Sequence, residues 1–259
     1  MYLKKGLQFK ISMLKIATYN IHKGYSQFKR RFVLHALRER LRELDADIVF
    51  LQEVQGADRR VKLRHNIDGA HPQHEFLAHE SWLHHAYGKN SVYDSGHHGN
   101  AILSRYPILK WDNHDISAHR FESRGVLHCE LAMPDSNKVL HCLCVHLGLF
   151  SRGRNQQMEE LVKRVQRIVP ADAPLIIAGD FNDWHNHADH LMVQHLHLKE
   201  AFEVKTGKPA RSYPCSLPLL RMDRIYVRGL SVQQVEVHAH YPWNKISDHA
   251  ALSAHLALP

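Results

Sequence analysis

Residues 175–183 read LIIAGDFND, an apolar run that ends at a glycine and continues into two carboxylates and a carboxamide. A short run of branched apolar residues bounded by glycine is typical of a buried strand. Gly179 permits a close approach of another backbone. If extended geometry continues through Phe181, Asp180 and Asn182 share one face. The stretch therefore predicts a buried strand that ends in a small polar cluster.

The hydrophobic pattern along the rest of the chain predicts strands alternating with helices. We expect strands at 14–19, 47–51, 101–104, 108–112, 125–133, 138–147, 175–178, 224–227, 231–238 and 250–256, and helices at 29–44, 75–83, 154–168 and 188–195. The turn-forming PDSN after Met133 predicts one hairpin, and Gly229 predicts another between 224–227 and 231–238. Hairpins mixed with crossovers favour two packed mixed sheets with helices outside.

The sequence has no internal repeat, low-complexity tract or flexible linker, which predicts a single domain over residues 1–259 with its core at about 14–257. The composition is that of an ordinary globular protein, 44% hydrophobic and 23% charged. The net charge of +8 favours an anionic partner, either a nucleic acid, a phosphorylated small molecule or a lipid headgroup, or else it serves solubility alone. The 24 histidines are interpreted mainly as surface residues, because few recur at the spacing of a structural zinc site.

The four cysteines include no CxxC pair, which favours a reducing compartment. Residues 1–14 lack a continuous apolar segment and a small-residue cleavage site, and nowhere do about 18 apolar residues follow one another. These features predict a cytoplasmic protein without a transmembrane segment. We take a monomer as the default.

Residues able to bind a cation or move a proton recur at the ends of the predicted strands. They are Asn20 in IATYN, Glu53 in DIVFLQE, His146 in LCVH, Asp180 and Asn182 in LIIAGDFN, Asp223 in MDRIYV, and Asp248 and His249 in ISDH. Each residue alone is typical of a cap, a turn or a buried hydrogen-bonded side chain. Their recurrence at six strand ends favours a shared catalytic or metal-binding cluster.

The ordered set TYN, LQE, GNAILS, VHL, GDFN, MDR and SDH resembles the endonuclease/exonuclease/phosphatase superfamily over residues 16 to about 256. GDFN and the terminal SDH are its specific elements. That superfamily includes deoxyribonuclease-I-like nucleases, abasic-site endonucleases, inositol phosphate phosphatases and neutral sphingomyelinases. The resemblance implies an α/β fold, a four-layered sandwich of two mixed sheets flanked by helices. It also implies Mg²⁺-dependent attack of water on a phosphoester, with Mn²⁺ as a substitute.

Metal ligands and a general base follow from the resemblance at matching positions. Glu53 is the implied principal metal ligand, with Asn20 beside it and Asp248 as a further carboxylate, a set that suits a hard cation. Asp180 is the implied acceptor of the proton of the attacking water, and Asn182 orients that water or the phosphate.

Two histidines complete the implied catalytic set. His249 binds or protonates the phosphate, and Asp223 holds its ring in one tautomer. His146 stabilises the non-bridging oxygens, as in the nuclease-like and sphingomyelinase-like branches but not in the abasic-site branch. The IHKG that follows TYN also departs from the abasic-site pattern.

Other assignments stay open at this point. Asn100, in GNAILS, and Arg124 are candidates for substrate binding, although Arg124 can equally be an exposed arginine without that role. The carboxylate that orients His146 is either Asp94 or Glu122, each of which can also be an ordinary loop residue.

The substrate is not fixed by these motifs. The run RRVKLR at 59–64 can grip a nucleic-acid backbone or form a solvated loop, whereas Tyr241 and Trp243 can enter a lipid interface or pack their own loop. We expect a nuclease-like phosphodiesterase, with a phospholipid diesterase, an inositol phosphate phosphatase or another phosphomonoesterase as alternatives. A non-catalytic scaffold on the same fold is the non-enzyme alternative.

Overall fold

The computed structural model describes residues 13–27, 31–58, 72–120, 122–133 and 138–258. The strands are β1 Met13–Asn20, β2 Ile48–Asp58, β3 His84–Tyr93, β4 Gly96–Ser104, β5 Ile108–Asp115, β6 Gly125–Ala132, β7 Val139–His146, β8 Leu175–Asp180, β9 Lys199–Glu200, β10 Asp223–Arg228, β11 Ser231–His238 and β12 Ala251–Ala257. The helices are α1 Leu34–Leu44, α2 Gln73–Ala78, α3 Ser151–Ile168, α4 His187–Leu196 and α5 Ala201–Thr206, with 3₁₀ turns at His22–Gly24 and Trp243–Lys245.

The strands form two six-stranded mixed sheets. The first sheet has the order β11-β12-β1-β2-β4-β3, and the second has the order β5-β6-β7-β8-β10-β9. In each sheet one parallel pair lies among antiparallel neighbours, β1 with β2 in the first and β7 with β8 in the second. The expected pair of mixed sheets is therefore confirmed. Neighbouring parallel strands end at the same edge of a sheet, so each sheet places two strand ends side by side at that edge.

Apolar side chains fill the space between the sheets and beneath the helices. Phe50 and Ile102 of the first sheet pack against Leu127 and Ile176 of the second in one buried cluster. On the outer faces, Leu37 and Leu41 of α1 pack on the first sheet, and Met158, Leu161 and Val165 of α3 pack on the second. These helical residues recur at intervals of three or four, which gives each helix one apolar face. The result is a four-layered sandwich.

The hairpin expected around Gly229 is wrong. β10 pairs with β8 and β9 in the second sheet, whereas β11 pairs with β12 in the first. Gly229, with a φ of 70°, lies where the chain crosses from one sheet to the other. A glycine turn between two apolar runs has the same sequence signature whether the chain folds back or crosses over. The hairpin between β6 and β7 is confirmed by their antiparallel register.

Several element bounds differ from the expected ones. β2 and β4 are longer than expected, α1 begins at Leu34, and β3, β9 and α5 were not predicted. β3 reads HHAYGKNSVY and lies at the sheet edge with β4 as its neighbour. Its mixed polar character fits an edge position and gave no clear strand pattern.

In the described part of the chain, no helix has both the length and the apolar character needed to cross a membrane.

The close backbone approach expected at Gly179 is confirmed. Gly179 has a φ of 149°, and a Cβ atom built there would lie 2.0 Å from the carbonyl oxygen of Val145 on β7. Extended geometry does not continue to Asn182, whose φ of 50° is left-handed. The Asn182 amide N–H instead donates to Asp180 Oδ1 at 2.9 Å, and its side-chain Nδ2 donates to the Leu147 carbonyl at 2.8 Å. Phe181 turns into the apolar layer beneath α3.

We expect Gly179→Ala to lower the free energy of unfolding by at least about 3 kcal/mol, because the new methyl group meets rigid backbone and the φ is unfavourable. Gly207→Ala is the control, since Gly207 also has a positive φ of 75° but a Cβ atom placed there would have no neighbouring atom within 4 Å. It should cost only about 1–2 kcal/mol. Urea denaturation measures both. Equal losses in the two variants would contradict the close approach.

Candidate active site

Strand ends from both sheets meet at one edge of the sandwich. Asn20 ends β1 in the first sheet and Asp180 ends β8 in the second, and Asn20 Nδ2 donates a hydrogen bond to Asp180 Oδ2 at 3.0 Å. Register places His146 beside Asp180 on one side and Asp223 beside it on the other. The Ser247 hydroxyl donates to the Asn20 carbonyl at 2.8 Å, which brings the segment carrying Asp248 and His249 to the same edge.

Asp180 is the centre of this cluster. The side chain is buried, and Oδ2 lies 3.6 Å from His146 Nε2 and 3.8 Å from His249 Nε2, in addition to its bond from Asn20. Burial raises the pKa of Asp180 to about 7, although the neighbouring His249 acts in the opposite direction. A carboxyl group with that pKa can take up a proton near neutral pH.

His249 forms an ion pair inside the protein. Its Nδ1 lies 2.9 Å from Asp223 Oδ2, and both side chains are buried. Burial disfavours the imidazolium, but the carboxylates of Asp223 and Asp180 outweigh it and raise the pKa of His249 to about 10. The ring of Tyr213 packs on the imidazole with a centroid separation of 5.0 Å. His249 therefore carries a positive charge at neutral pH and directs Nε2 toward Asp180.

His146, unlike His249, is uncharged at neutral pH. Burial, then the charges of Arg124 and His249, lower its pKa well below the ordinary value, so the ring is neutral. Neither proposed carboxylate partner contacts it in the described structure. Asp94 is exposed in the turn between β3 and β4, and Glu122 accepts from Gln157 Nε2 at 2.9 Å. The carboxylate that faces His146 is Asp180.

Two carboxylates flank Asn20 on the first sheet. Glu53 follows Gln52, which pairs with Asn20, and Asp248 precedes β12, which pairs with β1 on its other side. A shift of register between Leu51 and Val54 marks a bulge in β2, and Glu53 within it has a φ of 57°. Bulges change the direction in which a side chain points, and they are frequent next to active sites.

The oxygen donors present fit a hard divalent cation. Glu53 is half-buried, and Asp248 Oδ1 lies 3.6 Å from His22 Nδ1 and accepts from the Ser247 hydroxyl at 3.3 Å. Asn20 Oδ1 accepts from the His22 amide at 3.1 Å while its Nδ2 binds Asp180. Asn20 thus connects the carboxylate side of the site to Asp180. The tighter cluster of Asp180, Asp223 and His249, whose ligand atoms lie within 4.8 Å of one another, contains neither Glu53 nor Asp248.

The two candidates for substrate binding occupy different environments. Asn100 is buried, and its Nδ2 donates to the carbonyls of Gly125 and Cys144 at 3.0 and 3.2 Å, which joins the two sheets. Its Oδ1 is buried without a hydrogen-bond partner among the described residues. Arg124 is partly buried, with Nε 3.5 Å from Glu122 Oε1, and its charge acts on His146.

Two buried arginines, neither of them among the predicted site residues, hold the loop after β8. Arg154 on α3 donates through Nη1 to the Leu149 carbonyl at 2.6 Å, and its guanidinium lies over the Trp184 ring at 5.1 Å. Arg224 donates through Nη2 to the Asp183 carbonyl at 3.0 Å and to Asn186 Oδ1 at 2.9 Å. Arg224 is the last residue of the MDR motif, but its burial is visible only in the fold.

Two further basic side chains, Lys23 and the neutral His98, lie near His146. Burial lowers the pKa of His98 on β4 to about 4, with Lys23 acting in the same direction and Glu53 opposing it. Lys23 and His98 also lower the pKa of His146. The space between Glu53 and His146 therefore lies beside basic side chains.

Apolar side chains are exposed on segments next to the site. Leu149 and Phe150, shortly after His146, are 53% and 77% exposed, and Tyr241, shortly before Asp248, is 80% exposed. Trp243 instead packs edge-on against Tyr19, with a centroid distance of 5.6 Å. The basic run RRVKLR at 59–64 lies outside the described residues.

The chain is similar to known proteins over nearly its whole length. It is 45% identical over 246 residues to the uncharacterized protein YbhP of Escherichia coli K12, covering 94% of this chain and 96% of that protein. An endonuclease/exonuclease/phosphatase structure from Bacteroides vulgatus superposes with a TM-score of 0.74 at 16% identity and covers 96% of this chain and 100% of its own. A humanized D. rerio TDP2 structure superposes with a TM-score of 0.68 at 18% identity, covering 94% and 98%.

These structural likenesses show a shared fold, and the sequence match identifies the family. The family model described as Endonuclease/Exonuclease/phosphatase family matches residues 17–249, which include the strand-end residues from Asn20 to His249. The chain belongs to the endonuclease/exonuclease/phosphatase family.

Proposed function

We propose that this chain is a Mg²⁺-dependent phosphodiesterase in which Asp180 is the general base. The observation that carries the proposal is the environment of Asp180 Oδ2, which accepts from Asn20 and faces the ring nitrogens of both His146 and His249. A buried carboxylate between a charged and a neutral imidazole suits proton transfer beside an anionic reacting group.

In this proposal Asp180 takes the proton of the attacking water. Burial supports that role because it raises the pKa of Asp180 to about 7, which strengthens the carboxylate as a base near neutral pH. Asn182 supports it by donating its amide N–H to Asp180 Oδ1, which leaves Oδ2 to face the reacting groups. Asn182 is then a positioning residue for the base.

The two histidines act on the phosphate. His249 is charged and, held by Asp223, it can donate from Nε2 to a phosphate oxygen or to the leaving group. His146 is neutral and can donate one hydrogen bond to a non-bridging oxygen. This division of roles follows from Asp223, which contacts His249 and not His146.

Glu53 and Asp248 would hold the Mg²⁺ ion, with Asn20 between them. When bound, the ion would polarise a phosphate oxygen and offset the negative charge that develops on it. Carboxylate oxygens are the ligands that Mg²⁺ prefers, and Mn²⁺ accepts the same set.

Phosphodiesters in nucleic acid are the substrate class that we propose first. The positive charges of Lys23 and Arg124 act on the side of the site near His146, where an anionic backbone would lie, and the net charge of +8 favours such a partner. A phospholipid headgroup is the second candidate, because exposed Leu149, Phe150 and Tyr241 lie on segments next to catalytic residues.

Asp180→Asn should lower kcat/KM about 10²- to 10⁴-fold, because the amide keeps the shape of the side chain but cannot accept the proton. Hydrolysis is measured with Mg²⁺ or Mn²⁺ on DNA, RNA, anionic phospholipid, inositol phosphate and a simple phosphomonoester. Asp172→Asn is the control, since Asp172 is an exposed residue in the turn before β8. It should retain the rate of the unchanged chain.

The same panel separates the alternatives. Preference for DNA or RNA supports the nuclease, and preference for lipid or for the monoester identifies one of the other substrate classes. Full activity in Asp180→Asn would refute the assigned base. A folded chain that hydrolyses nothing on the panel with either metal would favour the non-catalytic scaffold.

Glu53→Gln should weaken Mg²⁺ activation at least about tenfold, because a neutral amide replaces a carboxylate ligand. Mg²⁺ should raise the melting temperature of EDTA-treated protein, and this rise should shrink in Glu53→Gln but persist in Asp180→Asn. Glu159→Gln, at an exposed position of α3, is the matched control. An unchanged Mg²⁺ response in Glu53→Gln would show that Glu53 is not a ligand.

A further inference from the structure

A second cluster of metal-binding side chains lies on the outer face of the second sheet. Leu127, Cys129 and Leu131 of β6 point into the core between the sheets. Strand side chains alternate, so His128 and Glu130 point to the opposite face, the face that α3 covers. His141 on β7 pairs directly with Glu130. The strand register therefore brings two imidazoles and one carboxylate together.

The distances in this cluster suit a single ion. His128 Nε2 and His141 Nδ1 are 3.0 Å apart, and the ligand atoms of all three residues lie within 4.8 Å of one another. Two nitrogens bound to one tetrahedral zinc ion are separated by about 3.3 Å, given Zn–N bonds of about 2.0–2.1 Å. Both histidines are buried, with 3% and 5% of their surface exposed. The two nitrogens are thus near the separation that a zinc ion requires, and the Glu130 carboxylate is close enough to move into the coordination sphere by rotation of its side chain.

A carboxylate outside the cluster orients His128. Asp112 Oδ1 on β5 lies 3.5 Å from His128 Nδ1, and Arg164 of α3 pairs with Asp112 Oδ2. A carboxylate on that side favours the tautomer with hydrogen on Nδ1, which leaves the Nε2 lone pair free to bind a metal. Burial lowers the pKa of both imidazoles, which keeps them uncharged.

We propose that His128, Glu130 and His141 form a binding site for Zn²⁺, with Asp112 as its orienting partner. Two histidines and one glutamate are a known zinc donor set that leaves a fourth position for water. The site is separate from the catalytic one, because His141 precedes His146 by five positions, about 16 Å along β7. Zn²⁺ would link β6 to β7 and, through Asp112 and Arg164, hold α3 on the sheet.

Cobalt titration of the full-length, EDTA-treated protein tests this site, because tetrahedral Co²⁺ absorbs visible light strongly. An excess of Mg²⁺ is kept in solution to occupy the oxygen-rich catalytic site. We expect one equivalent of strongly absorbing Co²⁺, displaced by Zn²⁺, together with a Zn²⁺-dependent rise in melting temperature.

Variants assign the signal to the cluster. His141→Asn and Glu130→Gln should weaken Co²⁺ binding at least about tenfold, and Asp112→Asn about 10- to 100-fold. The control is His238→Asn, because His238 is also a strand histidine of low exposure, bonded through Nε2 to the Ser253 hydroxyl at 2.9 Å. It should leave the spectrum unchanged.

Equal Co²⁺ spectra in the unchanged chain and in folded His141→Asn or Glu130→Gln would overturn the proposal. So would the absence of any tetrahedral spectrum, which would leave the two histidines joined only by their N–H···N hydrogen bond. Because Glu130 is partly exposed, Glu130→Gln provides a folded variant if His141→Asn does not fold. Neither result depends on hydrolytic activity, so the proposed function is tested separately.

Discussion

The hydrogen bond from Asn20 to Asp180 is the contact on which the site depends. It joins the end of a parallel strand in one sheet to the end of a parallel strand in the other, at 3.0 Å between buried atoms. A charge-assisted bond between buried groups is sensitive to small displacements. The packing of the two sheets therefore sets the geometry of the strand-end cluster directly, and the core between them holds Asp180, the proposed base, in place.

Burial also produces the electrostatic differences within the site. Asp180, His146 and His249 are all removed from water, yet their charge states diverge because their partners differ. Asp223, in hydrogen-bond contact with His249, stabilises its imidazolium, whereas burial and the charge of Arg124 lower the pKa of His146, although Asp180 lies 3.6 Å from its Nε2. One shared environment thus gives one charged histidine, one neutral histidine and a carboxyl group of raised pKa.

The second sheet contributes to two different kinds of polar site. The proposed catalytic cluster lies at the ends of strands, where loops bring residues from both sheets together. The His128 cluster lies in the middle of a sheet face, where cross-strand register alone aligns the ligands. Its position on the outer face beside Arg164 of α3 suits an ion that stabilises the fold, because its ligands come from paired strands rather than from the loops at the strand ends.

The sequence by itself determined the mixed α/β architecture, most central strands and the residues at their ends, because buried strands and motif spacing are local patterns. It did not determine which sheet each strand joins. The glycine turn at Gly229 therefore predicts a hairpin, whereas in the structure the chain crosses there from the second sheet to the first. The left-handed Asn182, the burial of Arg154 and Arg224, and the partner of His146 were likewise decided by the tertiary structure. His128 and His141 stand thirteen positions apart, at no recognised ligand spacing, and meet only through strand pairing. These contacts depend on register and sheet packing, which join residues distant in the chain and leave no local pattern.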